Sequence, residues 1–461
     1  MKILNKLSIV ATLLLIPVLA AGCKNIKVVD DMENVAKNEN SVVATVEDTV
    51  SENNEEAKVE EIKDIPVLRD AMEKENGMFA GCAVTGSEID DEKVWEIITT
   101  HFSRVTMGNE LKPDALFNYS NGSCPGTETV EFNGEEMVVP VLNYSRAEKI
   151  LDKFYDWNQE NPDRQIKIRG HVLVWHSQTP EWFFHEDYVK TNPYVDKETM
   201  NKRLEWYIAT VLTHFTGEDS KYKDMFYGWD VVNEAVADSN GKIRTDKENP
   251  NESKNQDTHN NNSSWWTVYG SEEFIINAFK YANKYAPADL ELYYNDYNEC
   301  SAAKLMGIRD LLQEIKDAEG APGEGTRISA MGMQGHYNMT DPDYAGLISA
   351  ISFYCKIVGK VQFTEVDIKT TDKIEDEEAF NEELRKRYNV LNAAINGAKK
   401  QNSENVVEGI TWWGTVDHYS WLQSRNSVGG GNTSGLSQMP LLFDKDYQPK
   451  ACFYVFAKDE K

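Results

Sequence analysis

The chain has 461 residues, of which 41% are hydrophobic, and its 76 acidic and 48 basic side chains give a formal net charge of −28. This length allows one large domain or two ordinary ones, with a substantial buried core. The acidity argues against nucleic acid and anionic lipid as partners, because a phosphate-rich partner requires a basic surface. A neutral partner is compatible with this charge.

The chain begins with a segment typical of export signals. Lys2 and Lys6 precede the apolar run LSIVATLLLIPVLAAG, which is too short for a comfortable membrane span. The segment LAAGC resembles a bacterial lipoprotein signal, in which Cys23 is lipidated after cleavage, although Ala20 stands where such signals usually carry Leu. The alternative is an ordinary secretory signal cleaved nearby. We therefore predict that residues 1–22 are a signal peptide and that the protein is extracellular, either anchored to the cell surface through Cys23 or secreted.

Residues 23–64 are predicted to form a disordered tether. They are rich in Asn, Glu, Val, Thr and Ser, contain no aromatic residue, and show no sustained periodicity that could bury one face. The predicted folded domain is therefore residues 65–461.

Eight β-branched or aromatic runs recur along residues 65–461, each followed by a loop and usually by a helix-like stretch. They are MFAGCAV, FSRVTMGNE, QIKIRGHVLVWH, MFYGWDVVNEA, LELYYNDYNE, RISAMGMQGH, KVQFTEVDI and VVEGITWWG. An amphipathic segment between two of them begins at Ser145, where Ser145 and Glu148 predict a capping box.

Alternating strands and helices predict a parallel sheet, and strands that are apolar on both faces predict that both sides of the sheet are covered. Eight such units predict an α/β fold, the closed (β/α)8 TIM barrel. That barrel typically takes about 250 residues, so long loop insertions are expected. The candidates are roughly residues 118–140, the Asn-rich 238–264 and the Gly-rich 426–439.

Polar residues stand at the C-terminal ends of the predicted strands, which is where a barrel of this kind carries its chemistry. In chain order they are Asn109, Glu110 and Lys112; His171 and His176; Asn233 and Glu234; Asn295 and Asp296; Gln334 and His336; Glu365 and Asp367; and Trp413.

The sequence lacks the motifs that several kinds of catalysis require. The eight histidines show no pair with metal-ligand spacing, so we predict neither a metal nor another cofactor. No G-x-S-x-G turn is present, and GAPGEG lacks the lysine of a phosphate-binding loop. The five cysteines after Cys23 have irregular spacing; a disulfide is possible, but packing as small hydrophobic residues is the better interpretation.

A ring of carboxylates and amides among 11 Trp, 21 Tyr and 17 Phe suits a sugar. Sugar faces stack on aromatic rings, and sugar hydroxyls bond to amides and carboxylates. Two carboxylates, Glu234 and Glu365, are predicted to meet across the barrel mouth, where glycosidic cleavage is the natural chemistry. Since neighbours in an extended strand point to opposite faces, Asn233 and Glu234 can both reach the site only if the strand ends in a bulge or bend.

The ordered motifs HFSRVTMGNELKPD, RGHVLVWHSQTPEWFF, WDVVNEA, YYNDYN, MGMQGH, FTEVDI, ITWWG and PLLFD resemble glycoside hydrolase family ten, the (β/α)8 endo-1,4-β-xylanases. The resemblance implies retaining hydrolysis of xylan, with Glu234 as acid/base and Glu365 as nucleophile. It also implies that Asn233 contacts the 2-hydroxyl of the cleaved sugar and that His336 is bonded to the nucleophile. Retention requires the two carboxyls to lie about 5 to 5.5 Å apart.

The resemblance further implies a set of substrate-binding residues, with Tyr297 towards the leaving group. Those on the other side are Asn109, Lys112, His171, Trp175, Gln178, Gln334, Trp413 and Trp421. Gln178 and Trp421 are expected to crowd the hydroxymethyl group of a hexose, which favours xylose. Gly108 departs from the family pattern, since a Glu commonly stands there, and a hydrogen bond to the second sugar on that side is expected to be lost.

Two other functions stay open at this point. One is a surface lipoprotein that binds xylan or its oligosaccharides without turnover, and the other is a β-1,4-glucanase on the same barrel. Xylan and xylo-oligosaccharides are the expected partners, the protein is expected to be a monomer, and a membrane is expected only through the lipid on Cys23.

Overall fold

The computed structural model describes residues 65–118, 123–250, 261–403, 406–425, 427–428, 431–432 and 435–458. The predicted signal peptide, Cys23 and the tether of residues 23–64 lie outside the described residues. Within the ranges described, no helix has the length and apolar character needed to cross a membrane.

Eight parallel strands form a closed ring. They are β1 (Phe79–Val84), β2 (Arg104–Met107), β3 (Lys167–Gly170), β4 (Phe226–Asn233), β5 (Glu291–Asp296), β6 (Ala330–Met333), β7 (Val361–Lys369) and β8 (Val407–Trp412). Each strand pairs with the next along the chain, and β8 pairs with β1, where Phe79 lies opposite Gly409. Two short strands, Val174–Trp175 and His336–Asn338, extend the ring beside β4 and β7. The (β/α)8 barrel predicted from the eight runs is confirmed.

Helices cover the outside of the ring. In the described residues they are α1 (Leu68–Asn76), α2 (Glu92–His101), α3 (Pro113–Leu116), α4 (Ser145–Glu160), α5 (Lys197–Thr216), α6 (Ser264–Tyr269), α7 (Glu273–Tyr285), α8 (Ala302–Asp317), α9 (Tyr344–Val358) and α10 (Glu377–Gln401). Their apolar stripes are buried; in α4 the stripe is Ala147, Ile150, Leu151 and Phe154. Strands buried on both faces and helices buried on one face give the two-layer core expected of this fold.

The capping box predicted at α4 is wrong. Ser145 is already the first helical residue, and the side chain of Asn143 takes the capping role instead. Its Oδ1 accepts hydrogen bonds from the Ser145 N–H at 2.9 Å and from the Ser145 hydroxyl at 2.7 Å. The Oε1 of Glu148 lies 3.0 Å from Nε2 of His214 and does not reach back to the helix start.

The predicted insertions contain some regular structure. The first includes an antiparallel hairpin, Thr127–Phe132 paired with Glu135–Pro140. In the second, Ile243 forms an isolated bridge with Val236, which precedes the insertion, and the Asn-rich residues 251–260 lie outside the described part. The third contains the short antiparallel pair Ser427–Val428 and Gly431–Asn432.

The five cysteines after Cys23 are free thiols. Cys82, Cys355 and Cys452 are buried in the core, and burial raises the pKa of each of these thiols. These three therefore pack as small hydrophobic residues, as the sequence predicts.

Candidate active site

The chain bends sharply where β4 ends. Glu234 follows the strand with φ of +55°, a left-handed conformation that costs a residue with a side chain about 1 to 3 kcal/mol. The Glu234 N–H donates to the carbonyl of Asn295 at 2.9 Å, and the Ala235 N–H donates to the hydroxyl of Tyr294 at 3.0 Å. The pairing of β4 with β5 also shifts register between Asp230 and Val232. The predicted bend is confirmed.

Because of this bend, a chain of amides joins the two glutamates. Gln334 Nε2 donates to Glu234 Oε1 at 2.9 Å and to Asn233 Oδ1 at 3.2 Å. Asn295 Nδ2 donates to the same Asn233 oxygen at 2.9 Å and to Glu365 Oε1 at 2.8 Å. Glu234 and Glu365, from opposite sides of the ring, therefore face one shared space at the barrel mouth.

Glu365 is buried and ionised. Burial alone would raise its pKa, but the hydrogen bond with His336 and the charges of His171 and Arg169 hold the pKa of Glu365 at about 2. His336 lies between two carboxylates, with Nε2 at 3.2 Å from Glu365 and Nδ1 at 2.9 Å from Asp367. Against the effect of burial, these two carboxylates raise the pKa of His336 to about 10. His336 is therefore a cation at neutral pH and donates from both ring nitrogens.

Glu234 has a different environment, because it is only partly buried. Its Oε2 accepts a hydrogen bond from Trp175 Nε1 at 2.9 Å, and its backbone carbonyl accepts one from Arg244 Nε at 3.2 Å. Arg244 also donates to the Tyr297 hydroxyl at 3.4 Å, and that hydroxyl donates to Asp238 at 2.5 Å. Tyr297 and the loop after β4 therefore form one wall beside Glu234.

Polar side chains that follow β2 and β3 form the opposite wall. Lys112 Nζ donates to Asn109 Oδ1 at 3.2 Å and to Gln178 Oε1 at 3.1 Å, and it lies 5.1 Å from the centre of the Trp175 ring. His171 Nδ1 lies 2.8 Å from Asp230. Burial lowers the pKa of Lys112 against the opposing charge of Glu365.

Two indoles complete the mouth. The Trp413 ring lies 5.6 Å from that of His171 and 6.3 Å from that of His336. The Trp421 ring lies 5.2 Å from His336, and its Nε1 donates to Asp367 at 2.7 Å. Every predicted catalytic or substrate-binding residue thus lies in one connected set of contacts around the mouth, and the roles given to these residues stay predictions.

Two polar strand-end residues take no part in the mouth. His176 is partly buried, and desolvation of its ring holds its pKa well below its ordinary value. Glu110 bonds to the neighbouring loop, where Oε1 accepts from the Gly86 N–H at 2.9 Å. At Gly108 a Cβ would meet only ordinary contacts, the nearest at 3.5 Å from Thr85 Cγ2, so the backbone does not require glycine there.

The sequence did not identify Arg169, Asp230 and Arg244 as site residues. Arg169 and Asp230 lie inside β3 and β4, where they are fully buried and 3.8 Å apart. Arg244 lies in a loop with no recognisable motif. For Arg169 and Asp230, the only signal in the sequence is a single polar residue within an apolar strand. In the part of the chain described, no cluster of three or more His, Cys, Asp or Glu side chains is arranged to hold a metal ion.

A closed (β/α)8 barrel whose mouth holds an ionised buried glutamate linked to a second glutamate defines the class of two-carboxylate glycoside hydrolases. The profile of Glycosyl hydrolase family 10 matches residues 67–459. The chain belongs to this family.

Relatives include bacterial xylanases. The chain is 32% identical over 359 residues to the bifunctional endo-1,4-beta-xylanase XylA of Ruminococcus flavefaciens, covering 78% of this chain and 31% of that protein. It is 32% identical over 364 residues to endo-1,4-beta-xylanase A of Caldicellulosiruptor sp. strain Rt8B.4, covering 78% of this chain and 43% of that protein. The chain thus spans less than half the length of these two relatives.

A solved structure shares the fold. The CBM22-1–GH10 modules of the N-terminal endo-1,4-beta-D-xylanase 10B of Clostridium thermocellum, complexed with xylohexaose, superpose with a TM-score of 0.67 at 29% identity. The match covers 85% of this chain and 67% of that one.

Proposed function

We propose that this chain is an endo-1,4-β-xylanase, which hydrolyses internal β-1,4-xylosidic bonds in xylan by a retaining double displacement. The observation that carries the proposal is the ionised, buried Glu365 joined through Asn295, Asn233 and Gln334 to Glu234. A protein that only binds sugar requires neither a nucleophile nor a proton donor, so this pair favours turnover over a binding lipoprotein.

The first displacement forms a covalent intermediate. Glu365, as a carboxylate, attacks the anomeric carbon, and the bond from that carbon to the glycosidic oxygen breaks. The departing oxygen takes a proton from Glu234, so that the shortened chain leaves as an alcohol. Because the pKa of Glu365 is about 2, Glu365 is ionised at neutral pH and can act as the nucleophile.

The second displacement releases the sugar. Glu234, now ionised, takes a proton from water while the water oxygen attacks the anomeric carbon, and the ester bond to Glu365 breaks. Two inversions at the same carbon give overall retention. Asn233 would hold the 2-hydroxyl, and the cation of His336 would keep Glu365 in the charged form between cycles.

The mouth suits a neutral oligosaccharide. The indoles of Trp413 and Trp421 offer stacking surfaces, and Asn109, Lys112 and Gln178 offer hydrogen bonds on one side of the glutamates. Tyr297 lies on the side that we assign to the leaving group. The family resemblance assigns to Gln178 and Trp421 the exclusion of a hydroxymethyl group, which favours xylose over glucose. Names of the relatives support the same substrate.

Substitution of the nucleophile tests the proposal. For the full chain, Glu365→Gln should lower the release of oligosaccharides from xylan by at least about a thousandfold, because no covalent intermediate can form. The control is Glu205→Gln, which removes a carboxylate paired with Lys284 on the surface at 2.7 Å and should keep wild-type activity. NMR of the first-formed product should show the β-anomer.

Three results would contradict this function. They are full activity in Glu365→Gln, an α-anomer as the first product, or faster release of sugar from soluble cellulose than from xylan. The last result would favour the β-1,4-glucanase instead.

The location of the enzyme is a separate proposal. The lipoprotein-like LAAGC signal supports removal of residues 1–22 and a lipid on Cys23, with the monomeric enzyme held outside the cell. Cys23→Ala should move the activity from the membrane fraction to the medium in a lipoprotein-processing bacterium. Wild-type activity found only in the medium would support the ordinary secretory signal.

A further inference from the structure

A large cavity lies at the end of the barrel opposite to Glu234 and Glu365. Its volume is about 880 Å³, within the range of small-molecule sites. The first residues of several barrel strands line it, including Phe79, Arg104, Lys167, Tyr227, Glu291 and Glu408. The mechanism proposed above uses none of these residues.

One wall of the cavity carries two adjacent cations. Arg104 on β2 and Lys167 on β3 are direct partners in the parallel register, so their side chains leave the sheet side by side. Like charges in that arrangement destabilise a sheet. Within the described residues neither forms an ion pair: Arg104 donates to the carbonyl of Ser103 at 3.0 Å, and Lys167 donates to the carbonyl of Asp224 at 2.6 Å.

The surroundings of Arg104 and Lys167 also favour an anionic ligand. Burial and the charge of Arg104 lower the pKa of Lys167, with the exposed carboxylate of Asp224 opposing them. In a chain of net charge −28, two neighbouring cations that form no ion pair with any described residue are unexpected. An anionic ligand would relieve their repulsion.

Aromatic rings hold the guanidinium of Arg104 in place. It lies 5.3 Å from the centre of the Phe79 ring and 5.2 Å from that of Tyr227. Stacking of this kind fixes the plane of an arginine, and a fixed guanidinium can bind a carboxylate with two parallel hydrogen bonds.

The opposite wall is acidic and limits the charge that the ligand can carry. Lys360 forms ion pairs with both Glu291 and Glu408, and the Tyr293 hydroxyl donates to Glu408 at 3.0 Å. Asp289 is exposed nearby. Carboxylate oxygens accept hydrogen bonds from hydroxyl groups but repel a dianion such as phosphate.

We propose that this cavity binds a sugar acid, a ring with one carboxylate and several hydroxyls. The carboxylate would bind Arg104 and Lys167, the ring would lie against the aromatic side chains, and the hydroxyls would donate to Glu291 and Glu408. The site is independent of the proposed xylanase activity, because it lies at the other end of the barrel.

Titration calorimetry of the full chain with glucuronate, glucose and inorganic phosphate tests this site. Glucuronate should bind at least about tenfold more tightly than glucose, since loss of one charge-assisted contact corresponds to about that ratio. It should also bind at least about tenfold more tightly than phosphate, which the carboxylates of the acidic wall repel. Arg104→Gln and Lys167→Gln should each weaken glucuronate binding by about the same factor. Lys202→Gln, which removes a surface cation paired with Glu135, should not weaken it.

A second titration separates this cavity from the catalytic mouth. In a Glu365→Gln background saturated with xylotriose, glucuronate should bind as it does without xylotriose. Competition with xylotriose, equal binding of phosphate or glucose, no binding of glucuronate, or unchanged binding in Lys167→Gln would each overturn the proposal. Lys167 is only partly buried, so the test does not depend on whether Arg104→Gln folds.

Discussion

The charge of His336 depends on Asp367, and the charge of Glu365 depends in turn on His336. The three side chains form a line in which the imidazole lies 2.9 Å from Asp367 and 3.2 Å from Glu365. The cation beside Glu365 keeps that carboxylate ionised. The low pKa of Glu365 is therefore a property of this group of residues and not of Glu365 alone.

Replacing His336 with Ala should move the acidic limb of the pH profile of kcat/KM upwards. Glu365 must be ionised to attack, and loss of the cation raises its pKa from about 2, so the variant should lose activity on acidification at a higher pH than the wild type. Trp421→Phe removes a hydrogen bond from a neutral donor to Asp367 and part of a stacking surface, but it keeps the cation of His336 and should leave the acidic limb at the wild-type pH. If His336→Ala and the wild type share the same limb, the cation does not control Glu365.

Among single residues, the sequence predicted the site residues that stand at strand ends. Glu234, Glu365 and their amide neighbours could be found because a parallel barrel directs the ends of its strands to one face. Arg169 and Asp230 could not be found, because a residue in mid-strand can point either into the barrel or outward, and the alternation of the sequence does not distinguish these when both faces are buried. The contact of Arg244 with Glu234 depends on how an irregular loop folds back.

At the scale of elements, the loop after β4 supports the backbone of Glu234. Arg244→Gln removes the hydrogen bond to the Glu234 carbonyl and should disturb the position of the proton donor. We expect kcat/KM on xylo-oligosaccharides to fall at least about tenfold, because their leaving groups require a proton. A dinitrophenyl xylobioside needs no proton on departure and should be affected far less.

Arg203→Gln is the matched control for this loop. Arg203 is also buried and donates to two carbonyls, those of Phe183 at 2.7 Å and His185 at 2.9 Å. Loss of Arg203 should lower the stability of the fold without changing the ratio of the kcat/KM values for the two substrates. Equal losses on both substrates in Arg244→Gln would mean that Arg244 stabilises the fold and does not position Glu234.

The hairpin of residues 127–140 offers two neighbouring valines with opposite environments. Val139 is buried, whereas Val138 is 55% exposed. Val139→Ala should lower the free energy of unfolding by about 1.5 to 3 kcal/mol, and Val138→Ala by less than about 0.5 kcal/mol. Denaturant unfolding of both variants measures the difference, and equal effects would mean that the hairpin does not pack on the barrel as described.

The sequence predicted the eight barrel strands but not this hairpin. Barrel strands are apolar on both faces and stand out from the loops around them. The hairpin strands TETVEF and EEMVVP carry several glutamates on an exposed face, so their hydrophobic signal is weak. The capping box was wrong because Asn143 competes with Glu148 for the N–H group of Ser145. A four-residue pattern that begins at Ser145 does not decide between these two acceptors.

At the scale of the whole molecule, buried carboxyl groups predict how stability varies with pH. Burial raises the pKa of Glu88, Glu299 and Glu408 to about 7. Their stabilising effect is full below about pH 4.5, the ordinary pKa of the unfolded chain, and is lost as the pH rises through 7. The stabilising effect of His336 is likewise lost on going to high pH, as the pH rises through about 10. Glu365 has the opposite effect: it stabilises the fold above about pH 4.5, and this effect is lost as the pH falls towards 2.

The melting temperature should therefore be highest in mildly acidic buffer and should fall by at least about 2 °C between pH 5 and pH 8. Scanning calorimetry at constant ionic strength measures this change. Glu299→Gln should flatten the curve, since Glu299 is fully buried, accepts a hydrogen bond from Tyr337 at 2.6 Å and forms no salt bridge with any residue that the structure describes. A melting temperature that rises from pH 5 to pH 8 would contradict the assignment.

The barrel closes between its first and last strands, where Ala80 lies opposite Ile410. One edge of β1 consequently has no partner until β8 has left the ribosome. An unpaired strand edge invites pairing with other chains. A chain truncated before residue 407 should for this reason be an open sheet with two exposed edges, and it should aggregate instead of forming a smaller enzyme.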